Sequence, residues 1–410
     1  MTPLAGCENG RVLDPALRDD IESLTTKLEP ELIDFRRDLH RHPELARKEH
    51  RTTRAIVDRL IAADLSPRVL ASGTGVICDV VGSDGSPPRI GFRGDIDALP
   101  LTDVKPVPYR STVDGVCHAC GHDAHTAMTL GSALVLAELA KQGSFTSSVR
   151  LIFQPAEEVT PGGALDVLAD GGIDGLEQVF ALHCDPNIAV GHVGFRSGPI
   201  TAGADRIRVT MRGPGGHTAR PHLTSDLAYA LGKVITELPA VLSRLADPRA
   251  GLSVVWGQVH AGAAANAIPQ TGYAEGTMRC LDARVWESAH NRVPDLIRSL
   301  VAPYGVDVEV DMHTSVPPCV NDAQATEFMQ TVTADMLGPL RVTGTDQSLG
   351  GEDFGWILGR VPGALARLGV RSHEVADAGD LHRGSFDIDE RALAVGVRLF
   401  AGLAATEATR

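Results

Sequence analysis

Val149-Arg-Leu-Ile-Phe-Gln154 is a short apolar run that leads into Glu157 and Glu158. A run of that length and composition reads as a strand buried on both faces, the pattern of a parallel sheet. The same arrangement recurs on either side of it. Arg89-Ile-Gly-Phe-Arg93 leads into Asp95 and Asp97, and Val179-Phe-Ala-Leu182 leads into His183. Gly75–Gly82 is a further strand candidate. Helical periodicity covers Leu28–Leu65, interrupted at Pro43, and the Ala- and Leu-rich segment His122–Lys141. Strands alternating with helices define an α/β fold with a mostly parallel sheet flanked by helices. Each strand end carries a side chain able to bind a metal, and in open α/β sheets ligands gather at the carboxyl ends of strands. These separate segments are therefore expected to converge on one crevice.

The pattern changes at Arg196-Ser-Gly-Pro199. Beyond it come strand-like Arg206–Arg212, helix-like Asp226–Leu242, strands near Leu252–Val259 and Gly272–Met278, helix-like Arg284–Ala302 and strand-like Val306–Met312. This β-α-β-β-α-β order predicts a small antiparallel sheet with two helices on one face. The expected organisation is a larger domain, 1–196 and 315–410, with an inserted α+β domain at 197–314. The parent domain would finish with the helix-like segment Glu390–Leu403. A chain of 410 residues is too long for one ordinary core, which agrees with two domains.

His118-Ala-Cys-Gly-His-Asp-Ala-His125 concentrates imidazoles, a thiol and a carboxylate just before a long apolar-periodic segment. Packing alone does not explain that density. His, Cys and Asp together suit borderline divalent ions, and on an extended chain Cys120 and His122 point to the same side. A metal-dependent enzyme is the leading reading. With 52 Asp+Glu against 38 Lys+Arg the net charge is -14, and no long basic run occurs. That balance argues against nucleic-acid or anionic-membrane partners and favours a small-molecule substrate. No stretch approaches the roughly 20 apolar residues of a membrane span, and Met1–Asp20 has no apolar signal core. Seven scattered cysteines, an odd number, point to reduced thiols and a cytoplasmic location.

Ordered motifs along almost the whole chain resemble the amidohydrolase branch of peptidase family M20, which includes aminoacylases, hippurate hydrolases and hydrolases of indole-acetyl amino acids. They are Asp38-Leu-His-Arg-His-Pro-Glu-Leu45, Arg93-Gly-Asp-Ile-Asp-Ala-Leu-Pro100, His118–His125, Phe153-Gln-Pro-Ala-Glu-Glu158, Gly215-Gly-His-Thr-Ala-Arg-Pro-His222, Asn266-Ala-Ile-Pro269, Gly350-Gly-Glu-Asp-Phe354 and Leu381-His382. The resemblance implies two divalent ions per subunit (zinc, manganese, cobalt or nickel) held by Cys120, His122, Glu158, His183 and His382. It implies Glu157 as general base toward a metal-bridging hydroxide. His217 would reach across a homodimer or homotetramer to stabilise the oxyanion, with Asn266 assisting. Elsewhere in the broader family a metal-binding histidine stands where this chain has Asp95, so the resemblance leaves its ligand role open. Asp97 is expected to orient a ligand from behind, and His118, Asp123 and His125 to be supporting or helix-start groups. Cys184 is expected to pack in the core.

The reaction so implied is hydrolysis of the amide bond of an N-acyl amino acid or related small acyl amide. Two alternatives stand beside it: a dipeptidase or aminopeptidase using the same metals, and a non-catalytic binding protein that keeps the fold. Cys120, together with Asp95 in place of histidine, points toward the acyl-amino-acid branch.

Overall fold

The computed structural model describes residues 13–372 and 379–407; Cys7 and most of the Met1–Asp20 segment lie outside the described residues. Helix α1 (Pro15–Arg41) starts well before Leu28. Asp14 accepts the Ala16 N–H and Pro15 occupies the first turn, where its missing donor costs nothing. The interruption expected at Pro43 is the gap between α1 and α2 (His50–Ala62). Strands β1 (Arg68–Val69), β2 (Val76–Val80) and β3 (Ile90–Asp95), helix α3 (His122–Lys141), and strands β4 (Val149–Gln154), β5 (Gln178–Ala189) and β6 (Val193–Phe195) follow.

Together with Val342–Gly344 and Gly363–Arg371 they form an eight-stranded sheet, in the order β1, β2, β4, β3, β5, Gly363–Arg371, β6, Val342–Gly344. The central strands β4, β3, β5 and Gly363–Arg371 run parallel, while antiparallel pairs lie on either side. Parallel direction puts their carboxyl ends along one edge. Asp95 pairs with Gln154, and Arg93 opposite Ala181 sets Asp95 level with His183, which pairs in turn with Arg367. Register thus lines up the strand-end residues that the sequence left in separate segments.

Helix α3 is buried on nearly every side, as an Ala/Leu-rich helix without a polar face must be. It packs against α1 and against the C-terminal helix Arg391–Glu407. A Cβ at Gly131 would lie 2.7 Å from Leu32 Cδ1 and 2.6 Å from Val397 Cγ2, so a larger residue here must displace both side chains. Phe92 of β3 stacks on Phe400 at 4.6 Å between ring centroids. Burying each such ring contributes about 1.5–3 kcal/mol.

The chain divides into two compact units, the second comprising Pro199–Val320 and Gln347–Trp356 and the first the remainder. Gln347–Trp356, expected with the larger domain, clusters with the second unit because Ser348 bridges Thr201 and the Leu349 carbonyl accepts from Arg279. Within that unit, strands Gly203–Arg212, Ser253–Ala261, Thr271–Cys280 and Asp307–Val316 form an antiparallel sheet. Ile207, Val209 and Met211 alternate onto one face and are covered by helices Leu227–Leu245 and Ala283–Val301 through Val234, Val293 and Ile297. The intervening Arg206, Arg208 and Arg212 face away, beside Glu275 and Glu309. A half-covered sheet imposes this alternation.

Candidate metal centre

Cys120 and His122 converge by a different route from strand alternation. Gly121 is left-handed (φ 88°) and sits at the N-cap of α3, so His122 is already the first helical residue. A Cβ at Gly121 would lie 2.9 Å from the Cys184 sulfur. The turn therefore requires glycine, both for its backbone angle and for its close approach.

Cys120 Sγ lies 3.5 Å from His183 Nε2. The other ring nitrogen of His183, Nδ1, is 2.8 Å from the Cys184 carbonyl and donates to it, which leaves Nε2 with its lone pair toward the thiol. His122 is oriented by the same logic: Nδ1 faces Asp97 Oδ1 at 3.3 Å. Its Nε2 lies 3.7 Å from Glu158 Oε1 and 3.9 Å from Glu157 Oε2. Glu158 Oε1 is also 3.4 Å from His382 Nε2. His382 comes from far along the chain. Its left-handed backbone (φ 61°) and an N–H bond to the Ala119 carbonyl seat it beside the Cys120 loop.

Donor atoms of Cys120, His122 and His183, of Cys120, Glu158 and His382, and of His122, Glu157 and Glu158 lie within 4.8 Å of one another in each set. His122 Nε2 and Glu158 Oε1 are buried with no hydrogen-bond partner among the described residues. Buried polar atoms are normally satisfied, so this mixed S, N and O set fits a divalent cation. All five residues implied as ligands are thereby brought together.

Asp95 also gathers with His122 and His125, its donor atom within 4.8 Å of theirs, but both of its oxygens are already engaged. Its Oδ1 meets His125 Nδ1 at 2.6 Å and its Oδ2 accepts from Arg93 at 2.6 Å. His125 is likewise occupied on both sides, since its Nε2 accepts the Cys184 N–H at 2.9 Å. Asp97 has a different task. Its two oxygens accept the backbone N–H groups of Glu157 and Glu158, each at 3.0 Å, in addition to facing His122. One buried carboxylate therefore fixes a histidine and the peptide of both glutamates. His118 and Asp123 lie behind the loop, Asp123 bound to Arg36 (2.6 Å) and His40 (2.7 Å). Cys184 is fully buried in the core.

The electrostatics favour proton-for-metal exchange. Burial raises the Cys120 thiol far above its usual value, and Glu158 and Glu157 add to the shift against the opposing pull of His122. Burial works to lower His122, yet Asp95 and Cys120 outweigh it and raise the ring well above 6.5. Glu158 is raised by burial against the opposing pull of His122 and His382. His183 is driven the other way, first by burial and then by Arg367, and stays in its neutral, ligating form. Arg93 and Arg367 are buried charges inside apolar strands, and an arginine interrupting such a run is their signal in the sequence.

His217 and Asn266 belong to the second unit. Gly216–His217 pairs with Ala267–Ile268, and the Thr218 N–H donates to the Asn266 carbonyl at 3.3 Å, so the two residues are neighbours there. His217 is exposed, and its Nδ1 accepts the Ala219 N–H at 3.0 Å. A neutral ring in that state carries its proton outward on Nε2.

An α/β sheet with sulfur, nitrogen and oxygen donors gathered at its carboxyl edge marks a metal-binding α/β protein. Residues 91–406 match Peptidase family M20/M25/M40, and the chain belongs to this family. It is 38% identical to the N-acetyl-L-cysteine deacetylase of Bacillus subtilis, over 89% of this chain and 85% of that one. It is 44% identical to a putative glutamate–cysteine ligase of Rhodococcus jostii over 92% of its own residues, but spans only 47% of that relative's length. Among solved structures, a dinuclear metal binding peptidase of the M20 family from Bacillus subtilis superposes with a TM-score of 0.80 at 32% identity, covering 93% of this chain and 98% of that one.

Proposed function

We propose that this chain hydrolyses the amide bond of small N-acyl amino acids, releasing a carboxylate and a free amine, with Glu157 as general base. The observation that carries this reading is the set of converging donors with two unsatisfied buried atoms, beside a glutamate whose backbone is clamped. The deacetylase relative supports the substrate class, and the dinuclear relative supports two ions held by Cys120, His122, Glu158, His183 and His382. Cys and His donors favour zinc, while the mixed set also accepts manganese, cobalt or nickel. When bound, the ions polarise the scissile carbonyl and acidify a water.

The chain's own residues do the rest. Glu157 takes the proton of the attacking water and returns it to the leaving nitrogen, so the C–N bond breaks to a neutral amine. Asp97 holds Glu157 and Glu158 at fixed positions, so that one can bind while its neighbour moves protons. The partner's His217 donates its Nε2–H to the oxygen that becomes negative. That step makes the working unit a homodimer or a tetramer built from one. The six described cysteines are all free and buried, which supports a reducing, cytoplasmic setting. Among the described residues no helix is long and apolar enough to cross a membrane.

The test is Glu157→Gln. It should retain the metal content of the parent while kcat on N-acyl amino acids falls by about 100-fold or more. Near-parental turnover at full metal occupancy overturns Glu157 as base, and activity surviving exhaustive chelation overturns the metal mechanism. A dipeptide compared with its N-acylated form tests the substrate class.

A further inference from the structure

Ala156, immediately before the two glutamates, is a non-glycine residue in left-handed backbone (φ 55°) and is fully buried. Such a conformation costs an L-residue roughly 1–2 kcal/mol and persists only where its surroundings impose it. Here both of its peptide groups are tied. Its carbonyl accepts the Gly163 N–H at 2.9 Å, and its N–H donates to Glu49 Oε1 at 2.8 Å.

Glu49 is the N-cap residue of α2, yet its side chain makes no capping bond. The open amides of that helix are met by Glu44, whose oxygens accept Arg51 N–H (3.0 Å) and Thr52 N–H (2.8 Å). Glu49 is thereby released from helix capping and spends its carboxyl on the turn at Ala156. It is fully buried, and burial raises its pKa, with Asp97 adding to the shift.

We propose that Glu49 is a positioning residue for Glu157, holding Ala156 in the left-handed turn that presents the Glu157 and Glu158 amides together to Asp97. This rests on the reading of Glu157 as the base. The left-handed residue reverses the chain one position before Glu157, so both following N–H groups reach the two oxygens of one carboxylate. Without the Glu49 acceptor, Ala156 relaxes toward negative φ and swings the Glu157 carboxylate off its line. What matters is the reach of an acceptor oxygen, not a negative charge.

Two conservative variants separate those requirements. Glu49→Gln keeps the oxygen at full reach and removes the charge, whereas Glu49→Asp keeps the charge and withdraws the oxygen by one methylene. We expect E49Q to match the parent. E49D should lose kcat, measured at saturating metal, by on the order of ten- to a hundredfold, the scale of a misplaced reacting group, with KM unchanged. Glycine adopts left-handed backbone without strain, so the loss from E49D should shrink in an A156G background. In the metal-free protein, hydrogen exchange at the Ala156 amide should accelerate in E49D and not in E49Q. E49D retaining the activity of E49Q, or a loss undiminished by A156G, overturns the proposal. If E157Q remains active while exchange still accelerates in E49D, the clamp stands and the base assignment falls.

Discussion

Asp97→Asn is the sharpest perturbation the structure offers, because one atom changes while three contacts depend on it. The carboxylate accepts from Glu157 N–H, Glu158 N–H and His122 Nδ1. An amide has one oxygen and one NH₂. Whichever way it is turned, one glutamate N–H faces another donor in a buried place. Stranding a buried donor costs about 1–3 kcal/mol, and the surviving bonds lose their charge assistance. His122 keeps at best an uncharged acceptor behind its ring, shared with a single remaining clamp bond, and losses of this kind weaken metal binding by about 10- to 100-fold. We therefore expect D97N, titrated with zinc against a competing chelator at constant pH, to bind roughly 10- to 100-fold more weakly. Its kcat at saturating metal should also fall, because Glu157 shares the damaged clamp. Unchanged affinity together with unchanged kcat would refute the claim that Asp97 organises the site.

Other outcomes follow from the same structure. Metal uptake should release protons, since burial keeps the Cys120 thiol protonated in the metal-free protein; affinity should rise with pH, and weakly buffered titration that detects no proton release removes Cys120 as a thiolate ligand. His118 is pushed down to about 3 by burial, and neither ring nitrogen has a hydrogen-bond partner among the described residues. Its folded value lies below the unfolded one, so the unfolded chain takes up the proton first as pH falls. The associated stability is complete above about pH 6.5 and declines toward pH 3, by up to about 1.4 kcal/mol per pH unit. His118→Gln should flatten the acid limb of denaturant-monitored stability, and an identical slope in the variant contradicts this. Gly121→Ala should destabilise by at least about 1–2 kcal/mol from its left-handed backbone alone, with lower metal occupancy after dialysis as the check.

The legible parts of the sequence were those where local pattern and tertiary environment agree. His122–Lys141 and Val149–Gln154 carry their boundaries in Gly121, Lys141 and the apolar run itself. Gln178–Ala189 runs past Leu182 because pairing with Gly363–Arg371 carries polar His183 and Asp185 along as strand. Gly363–Arg371 gave little signal of its own: Gly363, Ala364, Ala366 and Gly369 dilute its hydrophobicity, yet it is buried almost throughout. Among site residues, Glu157, Glu158 and His183 were visible as strand ends, whereas His382 required the family motif because nothing local marks it. Glu49 was invisible, since its role depends on a hydrogen bond across 107 positions.

The strand Gly363–Arg371 lies between β5 and β6 in the sheet, and the Leu381–His382 segment docks on the Cys120 loop. During synthesis, then, the chain exposes Cys120, His122, Glu158 and His183 long before the middle of the sheet is closed or the last donor emerges from the ribosome. A nascent chain has only an incomplete and loosely held set of donors. On the proposed ligand set, stable metallation waits for the segment from Gly363 onward, so cofactor loading would follow translation of the sheet's last central strand.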